Sequence, residues 1–240
     1  LTPLDYHIDL LGGDKKDYDI RLNSPFPREN LCLLLANNIS TRYKDRERTY
    51  LDIVKYIEAF ISAKKGNYFI FFPSYVYMKN IYDLILERND DLNIIIQESN
   101  MTEVEREEFL QKFDEENLIA FAVMGGIFSE GIDLVGDKLI GAVIVGVGLP
   151  QICFERDIIK DYFQHNLGEG FEYAYVYPGI NKVLQAAGRV IRSPEDRGAI
   201  LLIDDRYGTN QYLSLFPREW LGYKNIRNVG QMARILEKFW

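Results

Sequence analysis

Tyr68-Phe69-Ile70-Phe71-Phe72 runs straight into Pro73-Ser74. Five consecutive apolar residues are too few for an ordinary helix, and without polar alternation they leave no side for water. They predict a strand buried on both faces. Pro73 ends the run, and Ser74 is a suitable N-cap for a helix carrying Met78, Ile81, Leu84 and Ile85 at helical spacing. A strand covered on both faces, followed at once by an amphipathic helix, is the repeating unit of a parallel sheet.

The same unit recurs in both directions. Upstream, apolar residues at Leu51, Val54, Ile57, Ala59 and Ile61 follow the 3.6-residue period of a helix that Gly66 ends. Before it, Asn30-Leu-Cys-Leu-Leu-Leu-Ala36 predicts a short buried strand. The rest of residues 1–48 is irregular in pattern, punctuated by Ser24-Pro25-Phe26-Pro27. Downstream, Leu92-Asn-Ile-Ile-Ile96 is a strand, and Thr102 with Glu105 forms a capping box for a charged helix reaching about Asp114. Leu118 to Val123 is a strand running into Gly125-Gly126, and Leu139 to Val147 is another, ending at Gly148-Leu-Pro150. A helix over roughly Glu155 to Gln164 precedes Pro178-Gly179-Ile180-Asn181, which leads into a helix from Gln185 that Pro194 stops. Ala199-Ile-Leu-Leu-Ile203 is the last strand, followed by Asp204-Asp205-Arg206. These elements predict an α/β fold, a parallel sheet with helices on both faces. Residues 1–48 are expected to be a lead-in segment packed on a domain spanning 49–240. Ligands of such sheets gather at the carboxyl ends of the strands. Residues 73–75, 125–133, 148–150 and 204–207 share that edge.

Bulk properties narrow the function. The 240 residues carry a net charge of −8, with a pI near 5.0, which argues against coating nucleic acid by bulk attraction. A locally basic channel stays open. With 47% hydrophobic residues the chain can build a core, and no apolar run approaches the roughly 18 residues of a membrane span. The start, Leu1-Thr2-Pro3-Leu4-Asp5, has neither signal-peptide pattern nor initiator Met, so the chain is expected to be a piece of something longer. Cys32 and Cys153 stand far apart in apolar contexts. They read as buried structural thiols in a reducing, cytoplasmic setting rather than as a disulfide or a metal cluster. His7 and His165 lack ligand-like spacing, and no metal-ligating residues are expected in this chain.

The chemistry concentrates in Gln185-Ala-Ala-Gly-Arg-Val-Ile-Arg192. On a continuous helix at about 100° per residue, Gln185, Arg189 and Arg192 fall within an arc of about 60°. Ala186, Ala187, Val190 and Ile191 then face the sheet, and Gly188 allows a close approach beside the polar stripe. Two guanidinium forks and an amide on one face suit a polyphosphate, since Arg binds phosphate oxygens bidentately and keeps its charge. The plainer reading of any two helical arginines is weak surface ion pairing, here with Glu195 nearby.

The whole string decides between these. Gln-x-x-Gly-Arg-x-x-Arg, continued here by Ser193 and Asp196-Arg197-Gly198, resembles motif VI of superfamily-two helicases in its XPD/DinG branch. Gly125-Gly126-Ile-Phe-Ser129-Glu130-Gly131-Ile132-Asp133 resembles motif V, and its paired glycines suit a tight turn with amides open to phosphate. Phe71-Phe72-Pro73-Ser74-Tyr75 resembles motif IV, with Phe71 and Phe72 as core. The order is that of the branch, and Leu1-Thr-Pro and Ser24-Pro25-Phe26 resemble its linker after motif III. The resemblance covers nearly the whole chain.

It implies a second RecA-like domain, of phosphate-loop NTPase type without a phosphate loop of its own, in an ATP-dependent 5′-to-3′ DNA helicase. By matching position, Arg189 and Arg192 would be arginine fingers on the γ-phosphate, with Gln185 and Gly188 beside the nucleotide. Glu130, Gly131 and Asp133 would couple the nucleotide to the strand, while Ser74, Tyr75, Gly126 and Ser129 would touch single-stranded DNA. ATP with Mg²⁺ would be shared with an N-terminal RecA-like domain of the same polypeptide. Neither a Gly-x-x-x-x-Gly-Lys-Ser/Thr loop nor an Asp-Glu-x-His box occurs, and two cysteines cannot build the four-cysteine iron–sulfur site of many relatives. Such a cluster would belong to the upstream half. The chain alone is therefore expected to bind ATP weakly and hydrolyse none. The alternative is a non-catalytic nucleotide or nucleic-acid binding module derived from such a domain. A dinucleotide-binding fingerprint at Gly146-x-Gly148 fails because Gln151 stands where its third glycine belongs.

Overall fold

A computed structural model describes residues 3–14, 16–20, 22–129, 134 and 136–240. Among the described residues seven strands make one sheet: β1 (Leu31–Ala36), β2 (Tyr68–Phe72), β3 (Ile94–Ile96), β4 (Ile119–Val123), β5 (Gly141–Val145), β6 (Gly198–Ile203) and β7 (Lys224–Asn225). They lie in the order β3-β4-β2-β5-β6-β1-β7, and every pairing is parallel. Register aligns Phe72 with Val123, Phe71 with Ile144, and Leu202 with both Ile144 and Leu35, so the carboxyl ends of the interior strands form one edge.

Because strand side chains alternate in direction, the apolar runs feed two cores at once. Leu33, Leu35, Phe69, Phe71, Ala142, Ile144, Ile200 and Leu202 point to one face. There they meet α4 (Glu103–Gln111), α6 (Tyr177–Ala187) and the segment after β6. Leu34, Ile70, Phe72, Val143, Val145, Leu201 and Ile203 point to the other face, against α2 (Arg46–Ser62), α3 (Tyr75–Arg88) and α7 (Val229–Phe239). Ser74 caps α3 by accepting from the Tyr77 amide, and Thr102 and Glu105 form the predicted capping box of α4.

Several expectations change. Part of the irregular lead-in is a helix, α1 (Leu4–Leu11), which packs Tyr6 against Phe163 and Tyr173. β1, which falls within residues 1–48, lies between β6 and β7 inside the sheet. The two-residue edge strand β7 carries no periodic signal. Cys32 is buried as expected, whereas Cys153 is exposed at the N-cap of α5 (Phe154–Leu167).

The Gln185 segment departs furthest from the expected helix. Residues 178–181 are not a lead-in to that helix but part of it. An unbroken helical run extends from Gly170 to Ala187, with a π turn at Glu172–Val176. It ends at Ala187, seven residues before Pro194. Beyond Ala187 the amides of Arg189 and Val190 reach back only three residues, to Ala186 and Ala187. The amides of Arg192 and Ser193 are taken by the Asp196 carboxylate at 2.7 and 2.8 Å. A local side-chain acceptor has displaced the helical carbonyls. Gln185, Arg189 and Arg192 therefore share no helical stripe: Gln185 closes the helix and both arginines stand on the turn after it.

Candidate nucleotide and nucleic-acid sites

The turn after α6 is fixed from two directions. Asp196 is 6% exposed and accepts four bonds, from the Arg192 and Ser193 amides, the Ser193 hydroxyl at 2.9 Å and the Gly136 amide at 3.1 Å. Burial pushes its carboxyl up, but these donors together hold it below the ordinary carboxylate range. From the other direction Arg189 donates Nε to the Ser129 carbonyl at 3.1 Å, joining this turn to the glycine turn after β4. Arg189 and Arg192 are half-buried, and Gln185 and Gly188 are exposed. Gly188 also lines a cavity of about 280 Å³ shared with Phe26, Pro27, Arg28 and Trp220. Asn30 ties that segment to the Pro194 carbonyl at 2.9 Å.

Ser129 does not stand where it was expected. It is fully buried, and its hydroxyl donates to the Gly126 carbonyl at 2.7 Å within its own turn. It braces Arg189 and presents no surface to a nucleic-acid strand. Glu130, Gly131 and Asp133 lie outside the described residues.

Tyr75 and Gly126 come together at the carboxyl edge through Gln97, a residue outside every motif, and Ser74 precedes Tyr75 at the cap of α3. Gln97 is 4% exposed. Its amide nitrogen donates to the Tyr75 hydroxyl at 3.0 Å, and its oxygen accepts from the Val123 amide at 2.9 Å. A side chain at Gly126 would stand 3.3 Å from the same amide nitrogen. The clue in the sequence was a polar residue closing the apolar run that ends at Ile96.

Beside them opens a groove of about 700 Å³, lined by Ser74, residues 146–152, and Phe171 and Tyr175. Among the described residues Arg42, Arg46, Lys160 and Arg206 line it as well, against one lining carboxylate, Asp157. The arginines are held in place. Arg206 grips the fully buried Asp204 with Nε and Nη2 at 2.7 and 2.8 Å, and the Thr41 hydroxyl donates to the same carboxylate. Burial drives the Asp204 carboxyl up, but Arg206 and Thr41 bring it below its ordinary value. Arg42 pairs with Asp205 at 3.2 Å. Arg46 donates to the Thr41 carbonyl at 3.2 Å and lies over the Tyr77 ring at 4.6 Å. Thr41, Arg42, Arg46 and Lys160 lay in segments that no motif flagged. A larger cavity, about 890 Å³, opens near the opposite edge between α2 and α3 and contains none of the predicted site residues.

The two sites touch. Lys182 of α6 packs over Gly125, where a Cβ would come within 2.8 Å of its side chain, and Gly179 fits against the Val147 carbonyl at 2.7 Å by the same measure. Gly148, at φ +68°, meets Gly179 from the facing loop. Among the described residues no group of three or more His, Cys, Asp or Glu could hold a metal ion, and no helix is long and apolar enough to cross a membrane.

An XPD helicase structure aligns with 95% of this chain and 41% of its own, at a TM-score of 0.70 and 19% identity. The Xpd4 structure from S. tokodaii aligns with 89% of the chain and 41% of its own, at a TM-score of 0.62 and 16% identity. At these identities the likeness is one of fold: the RecA-like arrangement of the XPD helicase domains. The ATP-dependent DNA helicase chl1 of Schizosaccharomyces pombe is 26% identical over 100% of this chain and 32% of its own length. A protein of Staphylococcus saprophyticus titled 3′-5′ exonuclease DinG is 24% identical over 92% of the chain and 24% of its own. The chain thus spans a quarter to a third of these two curated relatives. Residues 57–222 match the helicase C-terminal domain family.

Proposed function

The chain belongs to the helicase C-terminal domain family, and from that premise we propose that it is the second motor domain of an ATP-dependent 5′-to-3′ DNA helicase. Its nucleotide site lies in a cleft shared with a first RecA-like domain of the same polypeptide. Single-stranded DNA runs along its carboxyl edge. The observation that carries this reading is the turn after α6, which presents Arg189 and Arg192 on a backbone braced by Asp196 and by the Ser129 carbonyl.

In this reading the first domain supplies the phosphate loop and the Mg²⁺ ligands. This chain supplies charge that develops its value in the transition state, when the transferring phosphoryl group spreads negative charge over its oxygens. Arg189 and Arg192 meet that charge, Gln185 orients the γ-phosphate or its attacking water, and Gly188 admits the nucleotide closely. Glu130, Gly131 and Asp133 couple the nucleotide to the strand. On the strand side, Tyr75 and Gly126 join Ser74, which lines the groove whose Arg42, Arg46, Lys160 and Arg206 suit phosphodiester oxygens. Phe171 there offers a face on which a base can stack. Cys32 and Cys153 do not fit an iron–sulfur cluster, and no step passes through one.

The test is Arg189→Ala and Arg192→Ala in the intact polypeptide. Strand-stimulated ATP turnover should fall by 10³-fold or more, while single-strand affinity stays within about threefold. Near-normal ATPase in both variants would remove the arginine-finger assignment. A second reading, a binding module with no catalytic partner, is favoured by the lack of a phosphate loop in these 240 residues. Strand-stimulated turnover of the intact wild type rejects it.

A further inference from the structure

One helical run joins the two sites, and it contains a proline. From Gly170 the run passes through Phe171, opens into the π turn Glu172–Val176 and continues as α6 to Ala187. Its first part walls the carboxyl-edge groove with Phe171 and Tyr175, whose rings stack at 5.2 Å. Its middle lays Gly179 on the loop after β5 and Lys182 on Gly125. Its end carries Gln185 and delivers the chain to Arg189.

Pro178 has no N–H, so the carbonyl four residues earlier, that of Ala174, lacks its ordinary α-helical donor. Arg156, in the first turn of α5, supplies one: its Nη1 donates to the Ala174 carbonyl at 3.2 Å. The two helical arms are pressed together where this happens, for a Cβ on Gly170 would come within 2.2 Å of the Lys160 carbonyl. A π turn holds one residue more than an α turn. Gaining or losing it rotates the preceding residues by about 100° relative to the following ones. Here the preceding residues include Phe171 on the groove, and the following ones lead to the arginine turn.

We propose that Arg156 is a positioning residue of the motor. By holding the Ala174 carbonyl it fixes the π turn, and so sets the groove wall of Phe171 and Tyr175 in register with the turn bearing Arg189 and Arg192. The proposal rests on the function inferred above.

The test is a double-mutant cycle in the intact helicase, reading two quantities a merely structural defect would not move selectively. These are the single-strand concentration giving half-maximal ATPase, and the base pairs unwound per ATP. Arg156→Ala should raise the first at least fivefold and lower the second at least threefold, and Arg156→Lys, which keeps a charged donor, should restore most of both. Pro178→Ala returns an N–H to the Ala174 carbonyl, so in that background Arg156→Ala should change either quantity less than twofold. Equal effects of Arg156→Ala in both backgrounds, or no effect in the parent, would overturn the proposal. Should Arg156→Ala alone not fold, the double variant is expected to fold, and its failure would overturn the proposal too. Absence of strand-stimulated turnover in the wild type would overturn the function and this inference together; normal stimulation without the Pro178-dependent effect overturns the inference alone.

Discussion

Asp196 shows how much one buried carboxylate decides. Its four donors include the amides that would otherwise extend α6, so the placement of Arg192 depends on it. Asp196→Ala should destabilise the fold by about 1–3 kcal/mol, because buried donors lose their acceptor, and should depress ATP turnover of the intact protein with little change in strand affinity. Chemical denaturation checks the first and steady-state kinetics the second. The pH dependence has a definite sign. The folded-state pKa of Asp196 is lowered, so its contribution is fully present above the unfolded value of about 3.9. It is lost as pH falls through the lower folded value. Wild type and Asp196→Asn should differ in stability at pH 7 and begin to converge only as pH falls below about 4, towards the lowered folded value; a difference that stays constant on acidification through that value would show the carboxylate's charge to be irrelevant.

At the scale of elements, the contact between α6 and the loop after β5 is made by two glycines. Gly148 takes φ +68°, and a Cβ there would stand 2.6 Å from the Gly179 carbonyl. A Cβ on Gly179 would stand 2.7 Å from the Val147 carbonyl. Both obstacles are backbone, which cannot swing aside. Gly179→Ala should therefore lift α6 from the loop, cost about 1–3 kcal/mol and weaken single-strand binding by displacing the groove's 146–150 wall. Unchanged strand affinity in a folded Gly179→Ala variant would show that the wall does not contact the strand. The cap of α3 tests a milder case. Ser74→Ala should cost about 1 kcal/mol, measurable by denaturant midpoint, through loss of the bond to the Tyr77 amide.

For the whole molecule, a net charge of −8 and a groove lined, among the described residues, by four cations and one carboxylate make the proposed strand contact local and weak. Two of those cations, Arg42 and Arg206, already neutralise Asp205 and Asp204. That leaves Arg46 and Lys160 for about two phosphates of the proposed strand, and at about 0.7 per phosphate the expected slope of log affinity against log salt is about −1.4. A slope steeper than about −4, measured by fluorescence anisotropy on this chain's part of the site, would require a larger basic surface than this groove. The isolated 240 residues should hydrolyse no ATP, with or without single strands, and strand-stimulated turnover by them alone would contradict the shared-cleft reading.

The layered architecture is legible in the order of the residues. Apolar runs such as Tyr68 to Phe72 can be satisfied only by burial on both faces, and capping residues such as Ser74, Thr102 and Glu105 act within a single turn of chain. That order also delivers the motif strings, because contiguous residues carry them. Where those strings bend, and which distant residues they meet, follows only from the folded arrangement. Helical periodicity continued through Gln185 to Arg192, but Asp196 intercepts the amides and Arg189 reaches the Ser129 carbonyl 60 residues away. Ser129 is polar in sequence yet sealed in its turn, while Gln97, Arg46 and Arg156 gain their roles from partners 26, 5 and 18 residues distant. Local pattern records propensity and burial; a hydrogen bond or ion pair between separate segments exists only once the sheet has brought its strand ends to one edge.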